Sequence, residues 1–150
     1  MKIKILFIGL FLSTVSMMAQ SEKINWEKDY KNAIKLAKKQ DKLVLLFFTG
    51  SDWCGPCKML VADFFESGKL KKIADKNFVL YEADFPRNQD LVSVSQRKDN
   101  LNLSNKYGIE SYPSVLIIDV KGKLIGTRKG YNLMRDPSYY YNLLNNSISK

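Results

Sequence analysis

Two cysteines occur in this chain, Cys54 and Cys57, and they stand three positions apart in the string Trp53-Cys54-Gly55-Pro56-Cys57-Lys58. A CxxC unit admits several chemistries. A structural disulfide over so short a loop restrains little of the unfolded chain and so stabilises weakly. A zinc site needs two more ligands, and the sequence offers no third cysteine and no histidine. The spacing could also arise by chance. The remaining reading is a redox pair. An apolar run precedes the pair and a helical pattern follows, so Cys54 is predicted at a helix N-terminus. There, unpaired N–H groups and the positive end of the helix dipole favour thiolate over thiol. Cys54 is then the exposed nucleophile and Cys57, one turn on, the shielded resolving thiol. Pro56 suits the first helical turn, where its missing N–H costs little. Gly55 is read as easing a tight turn, and Trp53 as a cover over the pair. The absence of histidine excludes Cys-His and Ser-His-Asp catalysis and the usual pH switch.

These residues need a frame. Asn25 to Gln40 carries Trp26, Tyr30, Ala33, Ile34 and Ala37 at helical spacing, with Asn25 as its cap. Leu43 to Phe48 is an unbroken apolar run, predicted as a strand buried on both faces. Lys58 to Glu66 is predicted helical, Ser67-Gly68 breaks it, and a short helix follows through Ala74. Phe78 to Ala83 is a second buried strand. Asp84 to Asn100, polar and holding Pro86, reads as a loop or insertion, and Leu101 to Tyr107 as a short helix. Ser114 to Asp119 and Lys123 to Arg128 form a hairpin across Lys121-Gly122. Gly130 interrupts, and Asp136-Pro137 opens a last helix over Ser138 to Ser147. The alternation predicts an α/β chain with a mixed central sheet flanked by helices.

The first twenty residues differ from the rest. Lys2 and Lys4 head an apolar run, Ile5 to Leu12, followed by small residues to Ala19. That is the layout of a cleavable signal peptide over residues 1–19, with a domain over 20–150; a retained N-terminal membrane anchor is the alternative. Cleavage would lower the formal net charge of +9 by two. The remaining lysines are scattered without a run of five or six, which argues against nucleic-acid binding.

The WCGPCK string resembles the active site of thioredoxins, and the likeness extends over most of residues 25–148. Lys106-Tyr107-Gly108-Ile109 with Tyr112-Pro113 resembles that family's approach to its cis-proline, and Lys121-Gly122-Lys123 with Gly130 resembles its hairpin turn and groove glycine. The resemblance implies a single-domain thioredoxin fold and a reversible Cys54–Cys57 disulfide. Trp53, Gly55, Pro56 and Lys58 would support the site, and a cis Pro113 would face the pair. The backbone of Tyr112, beside Gly130, would bind an extended substrate strand. The plainer alternatives are a trans Pro113 and a Tyr112 that only packs. The likeness implies no metal and no organic cofactor.

The chain also departs from the family. The strand before the motif lacks the family's buried acid, the Thr49–Asp52 stretch is longer, and so is the segment from Pro86 to Asn100. Asp52 is expected exposed and without that role; Glu82 is a weak substitute candidate, the plainer alternative being that it points to solvent. The resulting expectation is a monomeric periplasmic thiol–disulfide oxidoreductase. It would act on protein thiols and disulfides, chiefly as a reductant, with a membrane electron donor or acceptor. An oxidase or isomerase, or a binding module docking partners on Asp84 to Asn100, are the alternatives.

Overall fold

The computed structural model describes residues 23–149, so the expected signal peptide lies outside the described residues. Five strands form one mixed sheet: β1 (Trp26–Glu27), β2 (Leu43–Thr49), β3 (Phe78–Asp84), β4 (Ser114–Ile118) and β5 (Leu124–Lys129). Their spatial order is β1-β3-β2-β4-β5. β1, β3 and β2 run parallel, while β4 is antiparallel to β2 and β5 to β4. Five α-helices flank the sheet: α1 (Tyr30–Gln40), α2 (Gly55–Leu60), α3 (Gly68–Asn77), α4 (Val94–Tyr107) and α5 (Ser138–Ile148). Among the described residues no helix is long and apolar enough to cross a membrane.

β2 sits at the centre because only a strand apolar on both sides can be covered on both sides. From Val44 to Thr49 every residue is buried. Leu45 and Phe47 face one apolar cluster with α2, α3 and α5, which contains Cys54 and Cys57. Val44, Leu46 and Phe48 face a second cluster with α1 and α4. Each such side chain contributes about 1.5–3 kcal/mol by leaving water. The CxxC therefore leaves the carboxyl end of a strand buried on both faces.

Four boundaries differ from the sequence-based expectation. The first helix begins at Tyr30, capped by Asp29, whose carboxylate accepts the Asn32 N–H at 2.6 Å. Asn25 is not its cap. Trp26 instead belongs to the short strand β1, paired with Leu80, and its ring packs 5.0 Å from Phe65 and 5.9 Å from Phe47. An aromatic in a two-residue edge strand happens to continue the helical spacing of α1. The helix after the motif begins at Gly55 and passes at Val61–Phe65 into a π turn, and α3 continues to Asn77.

The largest difference lies in the segment read as a loop. β3 continues through Asp84, and residues 94–107 form one 14-residue helix capped by Ser93. Its pattern is hard to see because two of its three buried residues are Gln96 and Asn100. Both are matched to β3. Gln96 Nε2 donates to the Glu82 carbonyl (3.3 Å), and Asn100 Nδ2 to the Asp84 carbonyl (2.8 Å). The Tyr81 hydroxyl donates to Asn100 Oδ1 (2.7 Å). A buried amide with its bonds made is a sound core residue.

The hairpin forms as expected. Asp119 Oδ1 accepts the N–H groups of Lys121 and Lys123 across the turn (2.8 and 2.9 Å), and Gly122 takes φ +77°. Asp136 accepts the Ser138 N–H at 2.9 Å at the start of α5.

Candidate active site

Cys54 and Cys57 form a disulfide, with S–S 2.06 Å and Cα–Cα 5.2 Å. Cys54 takes the N-cap position of α2 with extended backbone, and its Sγ accepts the Cys57 N–H at 3.2 Å. Pro56 lies in the first turn. A sulfur that already accepts a backbone N–H is placed to hold negative charge. Cys54 is the more accessible of the two, but at 4% exposure against 1% for Cys57 it is not the exposed nucleophile expected. Both half-cystines belong to the apolar cluster under the sheet.

Gly55 also differs from its expected role. Its φ is not positive, and a Cβ built on it would meet no atom within 4 Å. The backbone does not require glycine there; the position opens onto free space. The turn that does depend on glycine is at Gly50, where a Cβ would run into the Trp53 indole. The Gly50 carbonyl accepts the N–H groups of Trp53 (3.2 Å) and Cys54 (2.8 Å), closing the turn that delivers the motif.

The stretch before Cys54 is laced to the stretch after β3 by six hydrogen bonds. Phe85 N–H donates to the Thr49 carbonyl, and the Trp53 indole N–H to the Phe85 carbonyl (2.8 and 2.9 Å). Ser51 gives Asp84 both its N–H (2.8 Å) and its hydroxyl (2.5 Å). Asp52 accepts the N–H groups of Arg87 (3.0 Å) and Asn88 (2.9 Å). These two amides, that of Asn88 foremost, hold the Asp52 carboxyl below the usual range. Asp52 is exposed as expected, and its work is to moor the 85–88 segment. Lys58 Nζ donates to the Asp52 carbonyl at 3.0 Å, bracing the same turn.

Trp53 is 39% exposed, and its indole lies over Gly50 in the turn before the pair. Its indole meets Tyr112 edge-on at 5.9 Å, Tyr112 stacks on Phe85 at 5.4 Å, and the Arg87 guanidinium lies 5.5 Å over the indole. Burial, and then the charge of Asp84, push the Tyr112 phenol above its ordinary pKa. The Tyr112–Pro113 peptide bond is cis. The Pro113 carbonyl accepts the Gly130 N–H at 2.8 Å, and Gly130 has φ +74°. The Tyr140 hydroxyl donates to the Gly130 carbonyl at 2.6 Å. Gly130 is thereby tied to the cis-proline segment.

Glu82 does not point freely to solvent. Its side chain is 22% exposed and lies 3.6 Å from Lys28, and burial raises its carboxyl pKa despite that cation. Asp84, Ser51 and Phe85 are site-forming residues that the sequence reading missed. The available signal was the Thr49–Asp52 lengthening, whose extra polar groups need partners. Among the described residues, no three histidine, cysteine, aspartate or glutamate side chains converge as metal ligands.

A family model for the thioredoxin-like domain matches residues 30–141. The chain belongs to that family. The thioredoxin-like assignment agrees with individual relatives. The disulfide bond reductase DsbH of Chlamydia pneumoniae is 32% identical over 108 residues, which are 72% of this chain and 63% of that protein. The thioredoxin-related protein DsbJ of the same organism is 29% identical over 136 residues, 85% of this chain and 39% of its own length. The match thus spans less than two thirds of either relative. Among solved structures, a DsbH oxidoreductase superposes with TM-score 0.75 at 26% identity, covering 85% of this chain and 87% of that one. A disulphide isomerase from Xylella fastidiosa gives TM-score 0.59 at 25% identity, covering 85% and 99%.

Proposed function

We propose that this thioredoxin-like chain is an exported thiol–disulfide oxidoreductase that reduces disulfides in other proteins. The observation that carries the reading is the Cys54–Cys57 bridge at the start of α2, with Cys54 Sγ accepting the Cys57 N–H. In the reduced form the Cys54 thiolate attacks one sulfur of a substrate disulfide. A Cys54–substrate disulfide forms, and the other substrate sulfur leaves as a thiolate that takes up a proton. Cys57 then loses its proton and attacks Cys54 Sγ. The Cys54–Cys57 bond forms, the mixed disulfide breaks, and the substrate departs as a dithiol. Two electrons have passed to the substrate, and the chain is left in the bridged state described above. No step calls on a metal or an organic cofactor.

Trp53, Pro56 and Lys58 hold the pair in place. The backbone of Tyr112, with Pro113 and Gly130 beside it, receives the substrate strand. The N-terminal pattern of residues 1–19 supports export to the periplasm, by a cleaved leader or a retained anchor. A dithiol spent in an oxidising compartment needs a membrane donor to restore it. The chain acts as a monomer. The relative named a disulfide bond reductase supports the reducing direction. The structural neighbour named a disulphide isomerase supports a second reading, in which the same pair reshuffles bonds.

Equilibration of the chain against glutathione, followed by tryptophan fluorescence, separates the two. A potential near or below about −250 mV fits the reductant; one above about −200 mV fits an oxidant or isomerase. Reduction of a model disulfide should need both cysteines; a cellular role that survives Cys54→Ser would sink every redox version and leave a binding module.

A further inference from the structure

Asp84 ends β3 in register with Thr49, so it stands at the mouth of the turn that leads to Cys54. Alternate residues of a strand share a face. Phe78 and Leu80 face the cluster that contains both cysteines, and Asp84 follows on that side. The residue is 7% exposed. Its two oxygens accept only from Ser51, and its carbonyl accepts from Asn100. Ser51 thus gives the Asp84 carboxylate two hydrogen bonds, one to each oxygen. None of the ion pairs among the described residues includes Asp84. The other charged groups around it are otherwise engaged. Glu82 pairs with Lys28, Asp52 holds two backbone amides, Lys58 donates to the Asp52 carbonyl, and Arg87 lies over Trp53.

An unneutralised carboxylate in a water-poor wall acts on its neighbours over a longer range than one at the surface. Toward a thiolate the action is repulsive: it raises the thiol pKa and disfavours the reduced, charged state. A pair whose thiolate is disfavoured holds its disulfide more tightly and gives up electrons more readily. The converse is known for strong oxidants, whose reduced form is stabilised.

We propose that Asp84 is an electrostatic tuning residue that biases the Cys54–Cys57 pair toward the disulfide and so toward stronger reducing power. Asp84 makes no hydrogen bond to either sulfur; it acts by its charge, held in place by Ser51, three residues before Cys54. The proposal rests on the redox reading of the pair.

The test compares the full exported chain with Asp84→Asn and Ser51→Ala. Asp84→Asn removes the charge and keeps the shape, since the Ser51 hydroxyl can reverse to accept from the amide. Ser51→Ala keeps the charge and removes one hydrogen bond. Two quantities are read at about pH 8: the dithiol–disulfide equilibrium with glutathione, and the Cys54 pKa from thiolate absorbance. Asp84→Asn is expected to move the equilibrium about tenfold toward the dithiol, which is about 30 mV, and to lower the Cys54 pKa. Ser51→Ala is expected to stay within about twofold of the parent on both. If Asp84→Asn does not fold, Asp84→Ser, which still offers an acceptor to the Ser51 N–H, is read the same way. The proposal is overturned if the charge-removing variant stays within twofold, or if Ser51→Ala moves both quantities as far. A parent chain that does not exchange with glutathione at all overturns the redox reading itself, and this proposal with it.

Discussion

Asp63 and Arg135 are paired across 72 residues of sequence. Arg135 donates from Nε to Asp63 Oδ2 at 2.9 Å and from NH2 to Oδ1 at 2.5 Å, while the Tyr131 hydroxyl donates to Oδ2 at 2.8 Å. Asp63 lies on the π turn that follows the cysteine helix, and Arg135 in the loop that follows Gly130. The fork closes a link between the two walls of the site. Arg135 takes φ +51° to make it, and the same loop presents Leu133 and Met134 almost fully exposed.

Asp63→Asn should release that loop without unfolding the domain. Limited proteolysis at Leu133–Met134 should speed up by no more than about fivefold, the scale of an exposed charge pair. No change in cleavage at that site would mean the fork carries nothing.

The same fork sets a pH response. The Arg135 and Tyr131 hydrogen bonds, that of Arg135 foremost, hold the Asp63 carboxyl below its ordinary value. A depressed folded-state pKa gives stability that is complete above the unfolded value, about 3.9, and is lost as pH falls through the folded value. Asp52, lowered by its backbone amides, adds in the same direction. Glu82 opposes them: its raised pKa favours the folded state when protonated, so that contribution fades as pH rises. Thermal melts from about pH 7 down to about pH 3 should show Tm falling in acid, less steeply in Asp52→Asn. An equal slope in the variant would count against the mooring role of Asp52.

Gly50→Ala should displace the Trp53 indole, because the new methyl group would occupy its place. A destabilisation of about 1–3 kcal/mol is expected from overpacking, together with altered tryptophan emission. Trp53→Ala in the same chain should recover most of the loss, and a double-mutant cycle that shows simple additivity would rule the contact out.

Tyr81→Phe should cost about 1–3 kcal/mol in chemical denaturation, since it leaves the Asn100 carbonyl oxygen buried without its donor. Asn100→Leu should cost more, because it strands both the Tyr81 hydroxyl and the Asp84 carbonyl. The reverse order would mean that α4 is held by its apolar residues alone.

What could be read ahead of the structure follows the apolar residues. Leu43 to Thr49 and Ser114 to Ile118 are buried along nearly their whole length, and runs of that kind leave little choice of conformation. The cysteine pair was legible for the same reason, since a buried strand fixed where it begins. The segment from Asp84 to Asn100 was not. Its order comes from Gln96, Asn100 and Asp84, polar groups whose burial depends on partners far away in sequence. No periodicity of apolar residues reports such pairings. Trp26 misled in the opposite sense, fitting a helical spacing while packing from an edge strand.

The vacancy beside Gly55 bears on how such a protein diverges. A Cβ added at Gly55 meets no atom of the surrounding domain. A lineage can therefore place a side chain at Gly55, beside its sulfur pair, by a single step that leaves the laced turn as it was.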